Sequence, residues 1–485
     1  MMGESVIVLI LPERPLSSSI IPLPYAIGLS QSFEVQYNSA AMTNPTLSEQ
    51  DIQNLAASAL AKAKALNCTE AEVGVRAGQG MTVTARNAEL EALEHHQDKS
   101  LSITVYKNGS KGSAGTTDFS EQSLTQTVTA AADIAGQSEA DEHAGLLEPQ
   151  FLAEQIPDLD LYHEWNVSNE KLIELALECD ASAKEVDQRI EQVDDTSVNY
   201  YRGMSAYANS NGFSGSYRAS RYGLSCVVVA DADGAMQRGY WYTSARDAED
   251  LQDHKAIGAI AGQRTVDKLG ARKIATEKVP VIFEAPVASG LFSHFISGIS
   301  GGSLYRKASF LLDSKGQQVF PDFVTVDEQP HLPKGIGSAP YDSEGGKTQQ
   351  RLIVDRGVVQ DYVLSAYSAR RLGLQPTGNA GGVHNLLVSH GELSFNQLIS
   401  SMGRGLIVTD LMGFGINMVT GDYSRGASGF WVENGEIAFP VEEITVAGNL
   451  AEMFKQIVEI GNDVDRRGGI QSGSVLIESM TVAGA

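Results

Sequence analysis

The sequence predicts an α+β fold, and three observations carry that expectation. Helix-period segments with N-terminal capping signals alternate with long strand-like segments. Asn-Gly and Asp-Gly pairs break those strands at hairpin spacing. The last two hundred residues are rich in glycine and alternate with period two, as an antiparallel sheet domain would.

Residues 1–45 hold prolines, serines and no clear period, so they are expected to be an extension outside the core, with Met42 a candidate start. The run SVIVLIL within them is short, follows Glu4 and precedes charge and proline, unlike a signal peptide. The first α+β unit, 46–136, opens with a helix over about 48–66. Thr46 with Glu49 and Ser48 with Asp51 offer two capping spacings, and Ile52, Leu55, Leu60 and Ala63 an apolar stripe. Three alternating segments follow, with a turn at Asn108-Gly109, and then a helix over about 121–135. Residues 137–160 form an acidic linker: positions 136–160 carry Glu139, Asp141, Glu142, Glu148, Glu154, Asp158 and Asp160 and no Lys or Arg.

The central α+β unit, 161–276, repeats the pattern: a helix near 168–185, strands broken at Asn211-Gly212 and Asp233-Gly234, and a helix near 253–269 before Gly270. The C-terminal unit, 277–485, begins with the apolar strand VPVIFEA and a helix whose first turn takes Pro286. A hairpin-rich antiparallel series follows, clearest at Asn434-Gly435. Helices are expected after Ser394, with Gln397 in capping-box spacing, and over about 450–460.

Composition narrows the function classes. Thirty-six basic against 60 acidic residues leave a formal charge of −24 on 485 residues, which repels phosphate backbones and anionic headgroups. Neither nucleic acid nor membrane is an expected partner, and no run approaches transmembrane length. Three scattered cysteines, Cys68, Cys179 and Cys226, make neither a disulfide framework nor a CxxC pair, which fits a reducing cytosol.

Short motifs are weak. In LFSHFISGISGG, His294 would need a second metal ligand a turn away, but position 298 is Gly298. At roughly 100° per residue His294 shares a face with Val287 and Leu291, so packing at a helix or partner surface is expected. Gly298-Ile299-Ser300-Gly301-Gly302 matches a nucleophile elbow formally, yet the order is strand, helix, then glycines. Ser300 reads as part of a helix-ending loop, and a serine hydrolase using it is the alternative. Gly345-Gly346-Lys347-Thr348 lacks the earlier glycine of a phosphate loop, because Tyr341 stands there; Gly413-Phe414-Gly415 lacks the third glycine, at Met418. Asp327, Glu328 and His331, in VDEQPHLP, read as a solvated, proline-bounded turn. His95 and His96 read as exposed.

Longer segments are more specific. SLYRKASFL, VTVDEQPHLPKGIGSAPYDSEG, RRLGLQPTGNAGGVHNLLV and the late ESMTVAG resemble the PmbA/TldE branch of the TldD/PmbA metallopeptidase family, and the two preceding units fit its layout. The resemblance implies a cytosolic peptidase system in which a TldD-type and a TldE-type subunit assemble. Its family roles are peptide-antibiotic maturation and antitoxin degradation. Catalytic subunits carry an HExxxH zinc helix and a later cysteine ligand. Counted back from Arg306-Lys307, the histidine positions fall at Ser293 and Gly298 and the glutamate position at His294; GNDVDRRGGIQSG supplies no cysteine. The resemblance therefore implies no catalytic residue, metal or cofactor in this chain, with zinc in a TldD-type partner. It implies that the chain completes a chamber for unfolded or leader-type peptides. His294, Tyr305, Arg306, Lys307, Asn379, His384 and Asn385 are the implied substrate or partner contacts. A non-enzymatic peptide-binding module is a further alternative.

Overall fold

The computed structural model describes residues 47–484; Thr46, Met42 and the SVIVLIL run lie outside them. Helix α1 (Glu49–Ala65) starts at Ser48, whose hydroxyl accepts from the Asp51 N–H while Asp51 caps in return. The stripe it buries is Ile52, Ala56, Ala59 and Ala63; Leu55 and Leu60 flank it half-buried. Strands β1 (Glu70–Arg86), β2 (Glu89–Lys107) and β3 (Ser110–Thr116) and helix α2 (Glu121–Gln137) follow. Asn108 and Gly109 turn between β2 and β3 with φ of 51° and 84°, the left-handed pair a two-residue hairpin needs. His95 and His96 are exposed on β2.

The central unit supplies α3 (Asn169–Lys184), β4 (Ile190–Asn209), β5 (Ser214–Ala232), β6 (Ala235–Ala245) and α4 (His254–Val266). Its strands do not make a sheet of their own. β4 pairs with β1 from Glu72↔Asn209 to Ala85↔Thr196, so one antiparallel sheet runs β3-β2-β1-β4-β5-β6. Helices α1 and α2 cover one half of a single face, over Val73, Val75, Leu101 and Ile103. Helices α3 and α4 cover the other half, over Met81, Val83, Cys226 and Val228. The opposite face carries the alternate residues, including Glu72, Gly74, Arg76, Ser100, Ser102 and Ser205.

The C-terminal unit contains β7 (Glu277–Phe283), α5 (Ala285–Gly298), α6 (Gly301–Tyr305), β8 (Val326–Gln329), β9 (Arg351–Asp355), β10 (Val358–Val359), α7 (Ala366–Leu372) and β11 (Asn385–Val388). It continues with α8 (Phe395–Met402), β12 (Gly405–Met412), β13 (Asp422–Glu433), β14 (Glu436–Asn449), α9 (Leu450–Lys455), β15 (Ile457–Ile460), β16 (Ile470–Gln471) and β17 (Val475–Ala483). Two sheets result, β10-β9-β8-β11-β16 and β14-β13-β12-β7-β17-β15, and β17 also pairs with β14, closing five strands into a barrel.

The unit is mainly antiparallel, as expected, with two parallel pairs, β12 with β7 and β11 with β16. Two local expectations need correction. The expected helix over 450–460 stops at Lys455, because Ile457–Ile460 pairs with β17. VDEQPHLP is not a solvated turn: Val326–Gln329 is an inner strand of its sheet, and Glu328 is 1% exposed. The helix after Ser394 carries its capping box with Gln397, and Asn434-Gly435 makes its hairpin.

Candidate functional site

Helix α5 follows its strand directly, with Pro286 in the first turn where no N–H is required. It buries Leu291, Phe292 and Phe295, the last two against Phe320 at ring distances of 6.0 and 5.0 Å. Ser293 and Ser297 face outward, and the Ser297 hydroxyl donates to the Ser293 carbonyl. His294 is half-buried, edge-on to Tyr423 at 6.2 Å. Burial, helped by the Arg425 charge, pushes its imidazole below the usual histidine range.

The three positions of an HExxxH motif on this helix hold Ser293, His294 and Gly298. A Cβ added at Gly298 would lie 2.9 Å from Cδ1 of Leu311 and 3.4 Å from the Phe310 ring, so a larger residue there needs the end of the Leu311 side chain to shift. Ser293 is a poor zinc donor, and no group of three or more His, Cys, Asp and Glu side chains converges on an ion site among the described residues. Ser300 fits a nucleophile no better. It follows a helix, its hydroxyl donates to the Ser297 carbonyl at 2.9 Å, and its other contact is the Ser303 hydroxyl at 3.1 Å.

The structure separates the implied contact residues into three places. Tyr305, the half-buried last residue of α6, is edge-on to Tyr367 at 5.8 Å, with the guanidiniums of Arg306 and Arg371 over its ring at 5.3 and 5.2 Å. Arg306 is exposed beside it, as is Lys307, which has a left-handed φ of 54°. His294 stands apart on α5.

Asn379, His384 and Asn385 come together with residues the sequence reading had placed elsewhere. Glu328 Oε1 accepts from Asn379 Nδ2 at 2.7 Å and from the His384 backbone N–H at 2.9 Å, and His384 Nδ1 lies 3.0 Å away. Arg351 donates through Nε to Glu328 Oε2 at 2.8 Å and through NH2 to Asn379 Oδ1 at 2.5 Å. Burial raises the Glu328 carboxyl, but the His384 hydrogen bond and the Arg351 charge outweigh it and hold the acid at about 2. Asn385 is structural: its amide bonds the Gln329 carbonyl, the Ser338 hydroxyl and the Gly337 N–H, which positions the loop before Tyr341. The signal for Glu328 is its phase. Val324, Val326 and Glu328 share one face of an alternating stretch, so the acid stands where a third buried residue is due and needs the cation of Arg351.

His384 also lines a cleft of about 570 Å³ between the helix-free face of the six-stranded sheet and the loops 337–343 and 380–384. Asp342 braces the loops, accepting N–H groups of Glu344, Gly346 and Ala380. Beside it, burial pushes the Glu344 acid up to about 7, against the pull of the Ala366 N–H.

Three family profiles match the chain: PmbA/TldA metallopeptidase domain 1 over residues 71–135, the central domain over 162–269 and the C-terminal domain over 276–484. The chain is 48% identical over 414 residues to "Metalloprotease PmbA" of Escherichia coli O157:H7, covering 85% of this chain and 92% of that one. It is 45% identical to the "Metalloprotease PmbA homolog" of Haemophilus influenzae, with 85% and 92% covered. The crystal structure of a candidate DNA gyrase modulator from Bacteroides thetaiotaomicron superposes with a TM-score of 0.86 at 29% identity, over 91% of this chain and 100% of that one. No described helix is long and apolar enough to cross a membrane. With three consecutive domains matched and nearly half of the aligned residues identical to a PmbA protein, the chain belongs to the TldD/PmbA metallopeptidase family, in its PmbA/TldE branch.

Proposed function

We propose that this chain is the companion subunit of a two-subunit cytosolic zinc peptidase. A TldD-type partner supplies the zinc, its ligands and the general base, and this chain completes the chamber that receives unfolded or leader-type peptides. The observation that carries the reading is the residue set on α5. The position that would hold the second histidine of an HExxxH helix is Gly298, where an added Cβ would press on Leu311 at 2.9 Å. Ser293 and His294 at the other two positions give the helix neither a first histidine nor a glutamate base. What remains on α5 is a small-residue face that suits packing against another surface.

The test is elemental analysis of the chain purified alone and after co-expression with a TldD-type subunit, with peptide hydrolysis assayed on both samples. The expected result is no stoichiometric zinc and no hydrolysis alone, and about one zinc per heteromeric pair with chelator-sensitive hydrolysis. Stoichiometric zinc and chelator-sensitive cleavage by the isolated chain would overturn the reading.

A further inference from the structure

The two walls of the cleft differ in chemistry. On the sheet side Ser100, Ser102, Thr104 and Ser205 stand beside Gly74. On the loop side Gly381 and Gly382, with φ of 93° and 123°, present main chain without side chains. The carboxylates on these walls are already engaged: Asp342 by three backbone N–H groups, and Glu72 by the hydroxyls of Tyr106 and Tyr207. Beside the exposed Arg76, what the cleft offers a ligand is hydroxyl and main-chain groups, the chemistry that pairs with peptide amides.

His384 is the unfinished group in this wall. It is only 8% exposed, and its Nδ1 faces the Glu328 carboxylate. An ionised carboxylate only accepts, so Nδ1 carries a proton, which leaves Nε2 as the ring atom free to bond a ligand. Nε2 has no hydrogen-bond partner among the described residues. Nε2 is reached from the cleft and its ring is held by Glu328, so a ligand entering the cleft meets a fixed polar atom that has no partner among the described residues.

We propose that this cleft is a peptide-binding site belonging to this chain itself, in which Nε2 of His384, oriented by Glu328, accepts a main-chain N–H of an extended peptide segment. The inference deepens the companion-subunit reading and rests on its substrate class. It adds that the companion grips substrate directly, away from the helix that lacks zinc ligands.

Fluorescence anisotropy tests it on the purified full-length chain without a partner. The probe is a fluorescein-labelled hexapeptide of alanine, glycine and serine, and the control is the same peptide N-methylated along its main chain. Saturable binding of the first probe and at least about tenfold weaker binding of the second are expected, because methylation removes the donors. His384→Asn keeps a donor near the place of Nδ1 and deletes Nε2, and should weaken binding about tenfold. Ser102→Trp fills the cleft from the opposite wall without touching the Glu328 network and should abolish binding, which keeps the proposal testable if the first variant misfolds. Absence of binding by the wild-type chain, or unchanged affinity in folded Ser102→Trp, overturns the site. Mass spectrometry of the recovered probe separates the two readings: cleavage by the isolated chain refutes companion status while the binding result still stands or falls on the variants.

Discussion

Nε of Arg351 lies 2.8 Å from Oε2 of Glu328, and the two side chains are 11% and 1% exposed. An ion pair withdrawn from water this far stands only while both partners are present, because either one alone is a buried, uncompensated charge. Glu328→Gln should therefore destabilise the fold by roughly 3–5 kcal/mol, read as a lower urea midpoint. The pH dependence has a definite sign. Glu328 holds its proton less tightly folded, at about 2, than its ordinary 4.5, so its contribution is full above about pH 4.5 and is lost as pH falls toward 2. Acid unfolding of the variant should show a shallower dependence across that window.

Glu344 should act in the opposite sense. Burial raises its acid to about 7 from 4.5, with the Asp342 and Glu72 charges adding to the rise. The folded chain then binds this proton more tightly than the unfolded chain, so the stabilisation is full below about pH 4.5 and is lost as pH rises through 7. Glu344→Gln retains an acceptor for the Ala366 N–H. Denaturation near pH 8 should find it more stable than wild type by roughly 1–3 kcal/mol, with little difference near pH 4.

Rebuilding the zinc motif in place should fail. In Ser293→His/His294→Glu/Gly298→His the new Cβ at 298 meets Leu311 at 2.9 Å. Overpacking of this kind costs about 1–3 kcal/mol, so a lower melting temperature and substoichiometric zinc are expected. One tightly held zinc per chain at unchanged stability would show that Leu311 yields easily.

Arg370 should govern the acidic linker. From α7 its guanidinium reaches Glu148 Oε1 at 3.0 Å through Nε and the carbonyls of His143 and Gly145 at 3.1 Å, and it also bonds the Leu146 carbonyl. Arg370→Ala removes all of these contacts. A glutamate-specific protease should then cut within 137–160 roughly 5–30-fold faster, the effect of 1–2 kcal/mol on local opening. Trypsin is uninformative, since the segment offers it no Lys or Arg.

Local signals were legible in the sequence because their physics is local. The Ser48/Asp51 and Ser394/Gln397 capping pairs and the Asn108-Gly109 and Asn434-Gly435 turns each involve a few consecutive residues and appear as expected. The pairing of β1 with β4 across the linker, and of β7 with β12, was not legible, because nothing within either strand names its neighbour. The helix expected past Lys455 fails for a related reason: Ile457 and Ile460 have helix spacing, and only the register shift between Ile457 and Glu459 in the pairing with β17 lets a strand bury both. Glu328 lies in a segment that carries the family resemblance, yet its local sequence reads as a solvated turn. Prolines nearby suggested a turn, and the partner that makes a buried acid tolerable, Arg351, is distant in sequence.

The shared six-stranded sheet has a consequence for synthesis. As the chain leaves the ribosome, β1 meets β2 at once, but the N–H and C=O groups it will give to β4, along Glu72–Ala85, wait until Thr196–Asn209 has emerged. At about 5–20 residues per second that delay is on the order of ten seconds. Throughout it, neighbouring nascent chains on one polysome display the same open strand edge, and translation speed through the acidic linker sets how long that edge is available to the wrong partner.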